Sequence, residues 1–180
     1  MNISTIPHCT ANNFNRNIKN SSQKNAFHIG TATKQTNSSS DGKRIGLILI
    51  GQTAYIATYA DSSTPSNPIV KVGDYEINVN EVNPNEATEL EMFALMSYMD
   101  DTNQTNNKGI CSFGKMRAFA ELAQYNGMCN GIKNENAIYD KKQNWINIIN
   151  AAKQIFLGNS ATYKQATECE NLLFAMSKGL

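Results

Sequence analysis

The chain has 180 residues, is 41% hydrophobic and 17% charged, and sets 16 Lys+Arg against 15 Asp+Glu for a net charge of +1. One domain is the ordinary expectation at this length. These figures exclude a membrane-embedded protein, a collagen-like chain, a wholly disordered one and a uniformly basic nucleic-acid binder.

The charge is uneven along the chain. Residues 1–44 hold Arg16, Lys19, Lys24, Lys34, Lys43 and Arg44 against Asp41 alone, which leaves 10 basic and 14 acidic residues for the remainder. A basic arm over 1–43 on a mildly acidic single domain over 44–180 is therefore predicted. The arm is rich in Asn, Ser, Thr, Lys and Gln, and Thr36-Asn37-Ser38-Ser39-Ser40-Asp41-Gly42 is flexible linker chemistry. Its scattered apolar residues bury too little area to offset backbone ordering at about 1–2 kcal/mol per residue, so disorder is expected. The first 30 residues show no apolar run of a secretory signal. Residence in the cytoplasm is expected, or export by a flagellar-type apparatus that reads no such signal. The chain also carries 25 asparagines, so its Asn-X-Ser/Thr triplets arise by chance and are not read as glycosylation sites.

The ordered body begins at Ile45. Ile45-Gly46-Leu47-Ile48-Leu49-Ile50 reads as a buried strand, Gly51-Gln52 as a II′ turn, and Thr53 to Ala60 as the partner strand. A loop with Pro65 and Pro68 follows. Ile69 to Val72, the Gly73-Asp74 turn, and the alternation of Tyr75, Ile77 and Val79 with polar residues predict a second hairpin. Asn83-Pro84-Asn85 then leads into a helix over about 87–99, with Thr88 and Glu91 spaced as a capping box. That helix is apolar almost all round, so deep burial is expected.

Three further helices are predicted. One runs from about Phe113 to Asn126, between Ser112 as N-cap and Gly127 as C′ residue. One runs from about Glu135 to Leu157 on a stripe of Trp145, Ile149, Ala152 and Phe156. The last starts at Ser160 and presents Tyr163, Ala166, Leu173 and Met176, broadened by Leu172 and Phe174. Strands followed by helices give an α+β fold: a four-stranded antiparallel meander of two hairpins, then about four packed helices.

Much catalytic chemistry lacks its parts. The only histidines, His8 and His28, lie in the arm, which offers no packed shell to hold an imidazole. Neither GxxxxGK[ST] nor GxGxxG occurs, and no cofactor is expected. The cysteines at 9, 111, 129 and 169 match no zinc spacing and read as independent thiols, though Cys111 and Cys129 could pair under oxidising conditions. Cys129, in a glycine-bracketed loop near Lys133, is the candidate nucleophile. Asp100 and Asp101, beside Asn103, Asn106 and Asn107, are the candidate hard-cation ligands, but they miss the EF-hand order and read first as a solvated helix end. Glu86, Glu89 and Glu91 are placed by the helix dipole. Tyr55, Tyr59 and Tyr75 read as cross-strand packing and Trp145 as a core anchor.

Asn67-Pro68-Ile69-Val70-Lys71-Val72-Gly73 and the run from Ile77 to Leu95 (Ile77-Asn78-Val79-Asn80-Glu81-Val82-Asn83-Pro84-Asn85-Glu86-Ala87-Thr88-Glu89-Leu90-Glu91-Met92-Phe93-Ala94-Leu95) resemble small uncharacterised proteins of clostridial, low-GC Gram-positive gut bacteria. The resemblance implies such a source, in keeping with the asparagine excess, and carries over no catalytic residue. A non-enzymatic binding or structural module with a protein partner is expected. An exported substrate and an enzyme using Cys129 or a carboxylate are the alternatives. Nucleic acid is not an expected partner, because the body is net acidic.

Overall fold

The structure is a computed structural model that describes residues 42–107, 112–129, 139 and 141–178. The arm up to residue 41, with its histidines and Cys9, lies outside the described residues, as do Cys111, Lys133 and residues 135–138.

Four strands, β1 (Arg44–Ile50), β2 (Thr53–Tyr59), β3 (Ile69–Val72) and β4 (Tyr75–Asn78), form an antiparallel meander in the order β1-β2-β3-β4. Both hairpins turn on a glycine with positive φ, Gly51 at +59° and Gly73 at +60°. Gln52 and Asp74 keep negative φ, so the turns are type II′, whose twist matches that of the flanking strands. Val79 leaves the sheet. It starts a 3-10 turn, Val79–Glu81, capped by Asn78, and the strand expected to reach it ends one residue earlier.

Helix α1 (Glu89–Asp101) packs across β1, β2 and β3. Thr88 Oγ1 accepts from Glu91 N at 3.1 Å and Glu91 Oε2 accepts from Thr88 N at 2.7 Å, the reciprocal box expected from the sequence. Leu90, Met92, Phe93, Ala94, Leu95, Met96 and Met99 are all buried. A helix apolar on every side needs cover on every side. The sheet lies against one side of α1, and α2 (Ser112–Tyr125) packs against another. Phe93, Phe113 and Trp145 form an aromatic column through this middle layer, with centroids 5.6 and 5.9 Å apart.

Helices α3 (Trp145–Leu157) and α4 (Tyr163–Lys178) complete the described helices, α3 lying against both α2 and α4. Helix α3 starts at Trp145, later than its periodicity predicts. Residue 143 is extended instead: Ala87 and Gln143 exchange backbone hydrogen bonds of 3.1 and 2.9 Å, and Trp145 Nε1 donates to the Ala87 carbonyl at 3.0 Å. Asn144 then caps the helix. Helix α2 ends as expected: Gly127 N donates to Gln124 O and Met128 N to Ala123 O, both at 2.9 Å. Helix α4 differs from expectation on its face and its start. Asn159 caps a 3-10 turn, Ser160–Thr162, that precedes it. Its buried stripe is Ala166, Cys169, Leu172, Ala175 and Met176, while Tyr163 and Phe174 are exposed. Phe174 carries the ammonium of Lys178 over its ring at 4.4 Å.

Candidate functional site

Asp100 and Asp101 are half-buried rather than solvated, and each has its own partners. Asp100, in the last turn of α1, accepts from Ser112 N at 2.8 Å, and from the hydroxyls of Ser112 and Thr105. It supplies an acceptor from α1 to the first turn of α2. Asn107 donates to the Ser112 hydroxyl and accepts from Lys115 Nζ. Asp101 turns toward the sheet, where it pairs with Lys43 at 2.6 Å and accepts from Tyr59 Oη at 3.0 Å. Burial first, and then this carboxylate, push the Tyr59 phenol up to about 12. No cluster of three or more His, Cys, Asp or Glu side chains suited to a metal occurs among the described residues.

Cys129 follows α2, half-buried against the core, with Sγ 3.9 Å from the Ala120 carbonyl. Burial pushes its thiol above the ordinary range. That direction lowers the thiolate fraction at neutral pH, the opposite of what a nucleophile needs. Cys169 is fully buried, and its thiol is pushed up to about 12, first by burial.

The tyrosines divide between two clusters. Tyr59 meets Tyr98 edge-on at 6.4 Å. Tyr55 and Tyr75 instead converge on Tyr139, whose part in this cluster sequence reasoning missed. Tyr139 stacks on Tyr75 at 5.0 Å and donates to Tyr55 Oη at 3.3 Å. Burial and this bond raise its own phenol to about 12. Tyr75, Ile77, Leu90 and Tyr139 wall an open cleft of about 470 Å³. Thr88 and Glu91, which share the lining, are already joined in the capping box of α1.

The sheet's other face is unusual. Alternation and register sort the side chains into rows. Gly46, Ala57, Val70 and Val72 turn inward to α1. A β-bulge between Arg44 and Gly46 shifts the pattern, so Arg44 pairs with Thr58 and stands on the outer face. Arg44, Thr58, Lys71 and Glu76 therefore form one polar row across the sheet. The next rows, Leu47 with Ile56 and Leu49 with Ala54, are apolar and lie toward the Gly51-Gln52 turn. Leu47 is 62% exposed, Leu49 65% and Ile56 38%.

This apolar block sits on an overhang. The β2–β3 ladder covers only Ala57 to Tyr59, so Thr53 to Ile56 run past β3 with no strand partner on that side among the described residues. Strand β1 is an edge of the sheet. From Ile45 to Ala60 the sequence has no charged residue. Natural sheets guard open edges with lysines, prolines, bulges or inward charges. Here the bulge and Arg44 guard one end of β1, and Gly46 to Ile50 carry no charge, proline or bulge of their own. The apolar run predicts a buried strand, but its outer face is exposed at Leu47 and Leu49.

Comparison with family models, with curated proteins and with solved structures returned no match.

Proposed function

We propose that the protein is a non-enzymatic binding module whose docking element is the outer side of the β1–β2 hairpin, and that its partner is a protein. The observation that carries this reading is the exposure of Leu47, Leu49 and Ile56 together on an uncharged, overhanging hairpin. Single exposed apolar residues are ordinary, whereas a contiguous apolar block beside an open strand edge marks a surface that associates. The raised thiol of Cys129 and the structural engagement of Asp100 and Asp101 support the non-enzymatic part of the reading.

The test is site-specific photocrosslinking in the native cell, with a benzophenone amino acid in place of Leu47. Protein adducts are expected, and they should disappear in a Leu49→Lys background. A probe in place of Phe174, which is 62% exposed but lies on α4, serves as control. Equal adduct yields from both positions, or none from position 47, would overturn the reading.

A further inference from the structure

We infer that the occupant of the open β1 edge is a second copy of this chain, paired antiparallel strand to strand about Ile48. The inference rests on the proposed docking role of the hairpin and names its partner.

Strand β1 is compatible with itself. With Ile48 on the two-fold axis, Leu47 lies opposite Leu49 of the other copy, and Gly46 opposite Ile50. Leu47 and Leu49 point to the outer face in each copy. Four leucines would then become direct cross-strand neighbours, with Ile56 of each copy flanking them, the pairing that stabilises sheets. The inward residue at the axis, Ile48, meets its own equivalent. The backbone N–H and C=O groups of β1 that do not bond β2 gain partners, which is the main source of affinity in strand addition.

Charge favours the same arrangement. No charged side chain lies between Ile45 and Ala60. The nearest cation on the outer face, Arg44, falls about eight residues from its equivalent in the other copy, or about 27 Å along the strands. That exceeds the Debye length of roughly 8 Å at physiological ionic strength, so like charges do not oppose the contact. Lys43 is held back by Asp101 at 2.6 Å. A parallel pairing would instead bring the two Arg44 side chains side by side.

The contact is small. Five residue pairs make an interface below the roughly 1,000 Å² typical of stable complexes, so a weak, concentration-dependent dimer is expected. The full chain should pass from monomer near about 5 µM toward twice that mass near about 500 µM in sedimentation equilibrium, the range that brackets a Kd on the order of 0.1 mM. Hydrogen exchange at the two concentrations supplies the second readout. The β1 amides not bonded to β2 should gain at least about tenfold protection in the concentrated sample, while the amides of α4 stay unchanged.

Leu49→Lys should remove both effects. Leu49 is exposed, so the variant should keep its melting temperature. Phe174→Lys, an equally exposed apolar site on α4, should leave association unchanged. A chain that stays monomeric at every concentration overturns the second copy as occupant, and the docking reading then stands or falls on the crosslinking result. A dimer without protection of β1, or one indifferent to Leu49→Lys, also overturns the inference, because the copies then meet elsewhere.

Discussion

Glu89 is a buried charge whose partner can be removed cleanly. The residue is 2% exposed, at the first position of α1. Arg117 Nε, on α2, reaches its Oε2 at 3.3 Å, and Nη1 of the same guanidinium meets Glu121 at 3.2 Å. Burial raises the Glu89 pKa despite the lowering effect of Arg117. Removing Arg117 leaves a desolvated carboxylate with a weakened partner set, a change that costs about 3–5 kcal/mol in buried pairs. The Arg117 side chain is 22% exposed, and Lys141 also lowers the Glu89 pKa. The lower end therefore applies, and Arg117→Ala should cost about 3 kcal/mol at pH 7, or about 10 °C in melting temperature.

The pH dependence has a definite sign. A carboxyl whose folded pKa is raised holds its proton more tightly in the folded state. Its contribution to stability is fully present below the unfolded value and is lost as pH rises through the raised one. Without Arg117 the raise is larger. The deficit of Arg117→Ala should therefore be greatest at pH 7 and shrink as pH falls below the ordinary Glu value of about 4.3, where Glu89 becomes protonated in both states. Glu89→Gln combined with Arg117→Ala should recover most of the loss at pH 7. Urea unfolding followed by Trp145, the single and fully buried tryptophan, reads all three. A deficit below about 1 kcal/mol at pH 7, well under the range for broken buried pairs, would refute the reasoning. So would a deficit equal at pH 4 and pH 7.

Further outcomes are expected at four positions. Ser97 Oγ is buried with no hydrogen-bond partner among the described residues and sits against Gly46, so Ser97→Ala should raise stability by about 1 kcal/mol in thermal melts. Gly46→Ala should lower it by about 1–3 kcal/mol, because the new methyl would come within 2.8 Å of Ser97 Cβ and 3.3 Å of Phe93 Cε2. Asp100→Ala should cost about 1–2 kcal/mol through loss of the cap on α2, and calcium should leave the melting temperature of the parent chain unmoved; a calcium-dependent rise would reinstate Asp100 as a cation ligand. Cys129 should react with a maleimide at pH 7 more slowly than a free cysteine peptide, since burial raises its pKa; faster labelling would revive it as a nucleophile.

The local chemistry of the elements was legible in the sequence, because each depends on residues close together. Turns at Gly51 and Gly73, the Thr88–Glu91 box, the Gly127 terminus and the burial of the methionine-rich α1 are all decided within a few residues of chain. The α+β order follows from those elements. Long-range partners were not legible. The start of α3 at Trp145 depends on Ala87, 58 residues away, whose backbone claims Gln143 and whose carbonyl takes the indole N–H. Asp100 became a cap, not a solvated end, because Ser112 lies beside it. Glu89 read as a helix-dipole charge until α2 brought Arg117 to it.

The sheet makes the same division. The run Ile45 to Ile50 determined a strand, since β-branched and leucine residues favour extended backbone and nothing in the run breaks it. An apolar run does not determine how many of its faces are covered. Among the described residues α1 covers one side of the sheet, β1 falls at its edge, and the β1–β2 hairpin outruns β3. Those three facts of tertiary placement turn a strand that reads as core into an exposed surface, because burial is a property of what lies opposite a side chain and not of the side chain itself.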